Sequence, residues 1–128
     1  MDLRTGYGDI VDDVEAELRE RVAAARHAGV EDDCILVDPG LGFAKTPEQS
    51  LQLLRRIDAF TSEAFPVVVG PSRKRFVGHV LGGDVDDRLE GTLAACAWCA
   101  MHRVAVVRVH DVEPARRVVD MIGAIRGR

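Results

Sequence analysis

Short apolar runs alternate with amphipathic stretches along the whole chain, and that alternation is the strongest constraint on its fold. Cys34–Asp38, Phe65–Val69 and Val104–His110 read as strands. Each is apolar almost throughout, the pattern of strands buried on both faces of a parallel sheet. Four helical segments surround them, in the order helix–strand–helix–strand–helix–strand–helix. Successive strands lie a little over 30 residues apart, the length of a right-handed crossover through a helix. The expected fold is therefore α/β, with three parallel strands and four helices. Such βα units build a (β/α)8 barrel or an open doubly wound sheet. Three strands alone make a thin sheet whose outer members keep unpaired backbone edges.

The helices carry their own punctuation. From Asp9 to Ala28, the residues Ile10, Val14, Leu18, Val22 and Ala25 form one apolar stripe. Asp9, Asp12 and Asp13 lie at the positive end of this helix, Arg26 and His27 at its negative end, and Gly29 marks the stop. Thr46-Pro47-Glu48-Gln49 opens a second helix with a threonine cap, a first-turn proline and a capping-box glutamine. Its buried face is Leu51, Leu53, Leu54 and Ile57. Gly78 to Asp87, with three glycines and three aspartates, reads as an exposed loop. Arg88–His102 is an alanine-rich, buried helix, and Glu113-Pro114 starts a last helix carrying Val118, Met121, Ile122 and Ile125 inward.

The 128 residues include 17 Lys+Arg and 21 Asp+Glu, with 47% hydrophobic residues and a formal net charge of −4. One core of ordinary size fits this length, and the apolar content argues against disorder. The acidic balance argues against broad nucleic-acid binding. No apolar run is long enough to span a bilayer, and Met1 to Ile10 lacks a signal-peptide pattern. A cytoplasmic location with free thiols is expected for Cys34, Cys96 and Cys99. The Cys96/Cys99 spacing invites a metal or redox reading. Their alanine-rich surroundings favour small buried hydrophobes instead.

In parallel α/β folds, ligands bind beyond the carboxyl ends of the strands. All three expected ends here carry polar groups: Asp38, then Ser72, Arg73 and Lys74, then Arg108 and His110. Arg108 and His110 are two residues apart and so face the same way in a strand. A guanidinium beside an imidazole favours an anion, most simply a phosphate; the alternative is a salt bridge to Asp111 or a satisfied core pair. Asp38 could be a turn-capping carboxylate. The Gly70–Lys74 turn could be a solvated loop, and Gly40 and Gly42 match no Rossmann or Walker pattern.

Taken together, four motifs are more specific. Asp38-Pro-Gly-Leu-Gly-Phe-Ala-Lys45, Gly70-Pro-Ser-Arg-Lys-Arg-Phe-Val-Gly78, Gly91-Thr92-Leu93-Ala94-Ala95 and Arg108-Val-His-Asp-Val112 resemble, in order, the carboxyl-terminal signatures of bacterial dihydropteroate synthases. The resemblance runs from about Tyr7 to the end; Ala44 stands where the family more often has glycine, and Pro71 where it has a small or aliphatic residue. It implies a pterin-binding (β/α)8 barrel joining 4-aminobenzoate to a dihydropterin methyl diphosphate, with diphosphate released, in folate synthesis. By resemblance, Asp38 binds the guanidine-like edge of the pterin. Lys74 contacts its carbonyl and ring, Ser72 the aminobenzoate carboxylate, and Phe43 lines the aminobenzoate path. Arg108 and His110 hold the diphosphate, and Arg73 supports the aminobenzoate side. Gly42 and Gly70 shape the substrate site, and Lys74, Arg108 and His110 are the catalytic candidates.

The family's barrel has eight strands, and the motifs account for the last three strands and four helices. The resemblance therefore implies that residues 1–128 are the carboxyl-terminal part of such a barrel, its amino-terminal strands absent, with little or no synthase activity alone. Mg²⁺ is expected with the diphosphate, its protein ligands lying in the amino-terminal part and none in these residues. The expected partners are the two substrates, an amino-terminal complementing piece, and a second copy through helices Arg88–His102 and Glu113–Ile125. The alternatives are a non-catalytic pterin-binding remnant or interaction module, and the pterin domain of a methyltetrahydrofolate-dependent methyltransferase. The Ser72-Arg73-Lys74 and Arg108–His110 pairings argue against the methyltransferase.

Overall fold

In the computed structural model, which describes residues 8–128, helix α1 (Ile10–His27) begins as its sequence directs. Asp9 Oδ1 accepts the amides of Val11 at 3.0 Å and Asp12 at 3.1 Å, filling donors that a helix start leaves open. Gly29 ends the helix at φ 94°, a conformation that side chains resist. Ile10, Val11, Val14 and Val22 are buried and Leu18 packs against them. The part of the leader reading that falls on Met1–Tyr7 lies outside the described residues.

The capping box of α2 (Pro47–Arg55) forms as expected: Gln49 N donates to Thr46 Oγ1 at 3.1 Å, and Thr46 N to Gln49 Oε1 at 2.9 Å. Arg56 then leaves helical geometry (φ −111°, ψ 31°), and a separate single turn, α3 (Asp58–Thr61), follows. The break leaves Leu53, Leu54, Ile57 and Phe60 all in the core.

The strands are much shorter than their apolar runs. β1 (Val68–Val69) and β2 (Val106–Val107) pair in parallel, Val68 opposite Val106 and Val69 opposite Val107. The expected first strand, Cys34–Asp38, is not one. Asp32–Cys34 is a 3₁₀ turn with Cys34 exposed, and only Val37 pairs, bridging Val67 in parallel. Prolines explain the truncation. Pro39, Pro66 and Pro71 have no N–H to extend a ladder, and Val37 N donates to the Pro66 carbonyl at 3.0 Å as the pairing stops. At the other end of the third run, Val104 N is spent on Cys99 O at 3.0 Å, closing the preceding helix.

A helix absent from the sequence reading, α4 (Arg75–Leu81), occupies the first part of the supposed Gly78–Asp87 loop. Phe76 and Val77 are buried, and the chain leaves the helix at Gly82 and Gly83, both with positive φ. The rest of that segment is exposed, as expected. α5 (Leu89–Met101) buries one face only: Thr92, Ala95, Cys96 and Cys99 are inside, while Trp98 and Met101 are exposed. Gly91 fits α5 against α4, since a Cβ there would lie 2.3 Å from Val77 Cγ1. Trp98 Nε1 donates to Leu54 O at 2.6 Å, and His102 Nδ1 lies 2.8 Å from Asp58 Oδ1, tying α5 to α2 and α3.

The last helix, α6 (Val112–Ile125), packs chiefly on α5. Ala115 is buried, Val118 and Ile122 are half-buried, and Met121 and Ile125 are exposed rather than inward. Among the described residues, six α-helices and two short parallel strands thus replace the expected four helices and three strands. Among the described residues no helix is long and apolar enough to cross a membrane.

Candidate active site at the strand ends

Chain direction and register bring the three polar strand ends together. Val37, β1 and β2 lie side by side and parallel, so Asp38, the Gly70–Lys74 turn and Arg108–His110 emerge at one edge. Asp38 Oδ1 accepts the Gly40 amide at 2.8 Å, the turn-capping role open from sequence. Its Oδ2 lies 3.6 Å from Arg108 Nη1. The carboxylate therefore holds the glycine-rich loop with one oxygen and faces a guanidinium with the other.

Lys74 reaches across to that loop. Its Nζ donates to Leu41 O at 2.8 Å and sits 4.3 Å from the centre of the Phe43 ring, within cation–π range. Burial, then the nearby Arg108 and Lys45 charges, pull the ammonium below its ordinary pKa, while Asp38 pulls it back up. Gly42 has φ 81°, and its open side faces the Lys74 stem. Gly70 leaves room for the Arg108 guanidinium, which a Cβ would meet at 2.6 Å.

Arg108 and His110 do not act as an adjacent pair. Both are exposed and follow β2 two residues apart, but Arg108 turns to Asp38 while His110 turns to Ser72. Ser72 Oγ lies 2.7 Å from His110 Nδ1 and accepts the His110 amide at 3.1 Å. Ser72 is buried and engaged with His110. Asp111, offered above as an ion-pair partner for Arg108 or His110, instead takes Arg73, whose Nη2 lies 3.2 Å from both carboxylate oxygens. Phe43 is half-exposed beneath Lys74.

Two features were not singled out from sequence. Lys45 lies near Asp38, its Nζ donating to Phe43 O at 2.9 Å, and burial lowers its pKa against the pull of Glu17 and Asp38. A cavity of about 200 Å³ is bordered by Lys45, Arg73, Lys74 and Arg75 with Gly42 and Phe76. Four cations around one small cavity suit an anion. The closing lysine of the glycine-rich motif and the run Arg73-Lys74-Arg75 were the available signals.

Cys96 and Cys99 are fully buried, and burial pushes their thiols up to about 11 and about 12. Neither supplies the thiolate that redox or metal chemistry needs. Among the described residues no group of three or more His, Cys, Asp and Glu could hold a metal ion.

The glycine-rich loop also contains a strained residue. Ala44 sits at φ 51°, in a region where a Cβ costs about 1–2 kcal/mol. Ala44→Gly is expected to raise stability by about 0.5–1 kcal/mol, because relieved strain exceeds glycine's extra unfolded-state entropy. Chemical denaturation checks this, and a lower midpoint would contradict it.

A parallel α/β fold with Asp38 and several bases converging at its strand ends defines a class, and residues 1–110 match the pterin binding enzyme family. The chain belongs to that family. Dihydropteroate synthases are among its relatives. It is 40% identical over 122 residues to the dihydropteroate synthase of Synechocystis, covering 94% of this chain and 42% of that protein. It is 41% identical over 128 residues to the inactive dihydropteroate synthase 2 of Mycobacterium leprae, covering 97% and 44% respectively. A solved Clostridium difficile dihydropteroate synthase, crystallised in the presence of pteroic acid, superposes with a TM-score of 0.93 at 34% identity, covering 98% of this chain and 48% of that one. The chain thus spans less than half the length of these relatives.

Proposed function

We propose that residues 1–128 form the carboxyl-terminal part of a dihydropteroate synthase (β/α)8 barrel, and that this site holds the pterin and diphosphate of its substrate. One observation carries the reading: a single carboxylate, Asp38, faces Arg108 beside a half-buried Lys74 at the strand ends. A carboxylate accepts two parallel N–H bonds, which matches the amino-amide edge of a pterin. Lys74, held over Phe43, donates to the pterin carbonyl.

The chemistry then follows from charge. The C–O bond to the diphosphate breaks, its electron pair leaves with the diphosphate, and the electron-rich pterin stabilises the methylene cation. Arg108 neutralises the departing charge. Ser72 Oγ accepts from the His110 amide and lies within hydrogen-bond distance of Nδ1; with the ring proton on Nε2, His110 is a second donor to the anion. The neutral amine of 4-aminobenzoate attacks the methylene carbon and afterwards loses a proton. Its carboxylate goes to the Ser72–Arg73 turn, beside the basic cavity that Arg73 and Arg75 border. Mg²⁺ with the diphosphate, its protein ligands outside these residues, belongs to the same reading, and Arg108 and His110 are the groups this chain offers the diphosphate.

Arg108 has a side chain 59% exposed and Phe43 is 49% exposed. A site this open excludes water poorly, so the chain by itself is expected to bind but turn over little or nothing. Completion by an amino-terminal piece, and pairing of two copies through α5 and α6 in the cytoplasm, belong to the same reading. A second reading, a pterin-binding protein without synthase activity, is favoured by the similarity to the inactive Mycobacterium leprae relative. Both readings predict pterin binding. Calorimetric titration of the 128-residue chain with pteroic acid, which joins a pterin to 4-aminobenzoate, tests this. Saturable binding should weaken about 10–100-fold in Asp38→Asn, which keeps the Gly40 cap but removes the charge. Equal affinity for both proteins would exclude the assigned pterin contact.

A further inference from the structure

The Gly91-Thr92-Leu93-Ala94-Ala95 motif supplies no proposed ligand contact itself, yet it sits behind the Ser72–Lys74 turn. At the centre of that turn, Arg73 has φ 55°, a left-handed conformation unusual for a residue with a Cβ. Strain of this kind persists only when neighbours hold it, and here two residues from the start of α5 do. Thr92, 1% exposed, accepts the Arg73 amide on Oγ1 at 3.0 Å. Arg88 donates from Nη1 to the Arg73 carbonyl at 2.8 Å. Both backbone polar groups of the strained residue are thus engaged by α5, while its side chain is engaged by Asp111.

Arg88 occupies a prepared place. Its guanidinium lies against Gly78 of α4, where a Cβ would come within 2.8 Å of Nη2. Its Nε is buried without a partner among the described residues. An orphaned guanidinium nitrogen opposes folding, and Nη1 offsets that by fixing the Arg73 carbonyl.

We propose that Arg88 and Thr92 are positioning residues: they hold Arg73 in its left-handed turn and thereby fix Ser72, with His110, on one side and Lys74 on the other. The proposal deepens the pterin reading, on which its functional consequence rests. Neither residue touches substrate. Relaxing the turn would swing the Lys74 ammonium off Leu41 and Phe43 and release His110.

The test uses the 128-residue chain, pteroic acid as probe, and the variants Thr92→Val, Thr92→Ser, Arg88→Met and Arg73→Gly. Thr92→Val and Arg88→Met should lower pteroic acid affinity about tenfold, the scale of one lost buried hydrogen bond. Thr92→Ser, which keeps the hydroxyl, should stay within about twofold. In an Arg73→Gly background the Thr92→Val effect should largely vanish, because glycine holds positive φ without a clamp. A structural role alone would leave that background dependence absent. Near-unchanged affinity in Thr92→Val, or an equal loss in the Arg73→Gly background, overturns the proposal. If the unsubstituted chain binds no pteroic acid, the pterin reading fails separately. The clamp is then judged without ligand by amide hydrogen exchange at Arg73. Fast exchange confined to Thr92→Val and Arg88→Met supports it, and exchange as slow as in the unsubstituted chain overturns it. Should Arg88→Met not fold, the Thr92 pair decides.

Discussion

Phe60→Ala is expected to remove about 3–5 kcal/mol of stability, the usual cost of emptying a fully buried aromatic site. Phe60 is 2% exposed and sits in the core with Leu53, Ile57 and Val67. It lies on α3, a helix of four residues that has little hydrogen bonding of its own to fall back on. Domains of this size have roughly 5–15 kcal/mol in total, and two-residue strands add few ladder bonds. The variant should therefore melt more than about 10 °C below the unsubstituted chain. Circular dichroism during heating measures this, and a shift of only a degree or two would show that Phe60 is not part of the cooperative core.

The second large effect is alkaline. Burial raises the Cys96 thiol from 9.0 to about 11 and the Cys99 thiol from 9.0 to about 12. Below pH 9 both thiols are protonated in folded and unfolded chains, so their contribution is fully present. As pH climbs from 9 towards 12, the unfolded chain loses these protons first and folding weakens. By pH 11 the loss is on the order of 4 kcal/mol. Lys45 and Lys74, with lowered pKa values, act in the opposite sense and add stability as pH rises towards their unfolded value of 10.5. A Cys96→Ala/Cys99→Ala double variant separates the two. In reducing buffer, urea midpoints followed from pH 8 to pH 11 should fall steeply for the unsubstituted chain and much less for the variant. Parallel curves would contradict the burial of the thiols.

Local chemistry made some elements legible from sequence and hid others. Asp9, Thr46, Pro47 and Gln49 act within a few residues of themselves, and α1 and α2 begin where those residues direct. Strand positions followed from apolar runs, but strand lengths did not, because Pro39, Pro66 and Pro71 limit the pairing that apolar side chains would otherwise allow. α4 was hidden by Gly78 and the Gly82-Gly83 pair. Phe76, Val77, Val80 and Leu81 carry a helical spacing, and Gly78 serves as the seat of Arg88 rather than as a breaker.

At the site, the rule that ligands gather at strand ends brought Asp38, Lys74 and Arg108 into one list, and they do converge. The pairings within the list depended on register. Ser72 and Arg73 lie three and four residues beyond Val69, and His110 and Asp111 three and four beyond its partner Val107. That alignment sets Ser72 against His110 and Arg73 against Asp111. Apolar content alone does not fix register between parallel strands. For the same reason the engagement of Ser72 with His110 and the contacts of Thr92 and Arg88 with Arg73 are not legible in the sequence.

Three strand ends converge on one ligand in the proposed site, and amide chemical-shift mapping reads that convergence residue by residue. Pteroic acid is titrated into the ¹⁵N-labelled 128-residue chain. The account predicts saturable shifts concentrated in three separated segments: Asp38–Phe43, Ser72–Lys74 and Arg108–His110. Shifts confined to one of these segments, or gathered instead on the apolar groove between α2, α4 and α5 around Val80 and Trp98, would contradict it.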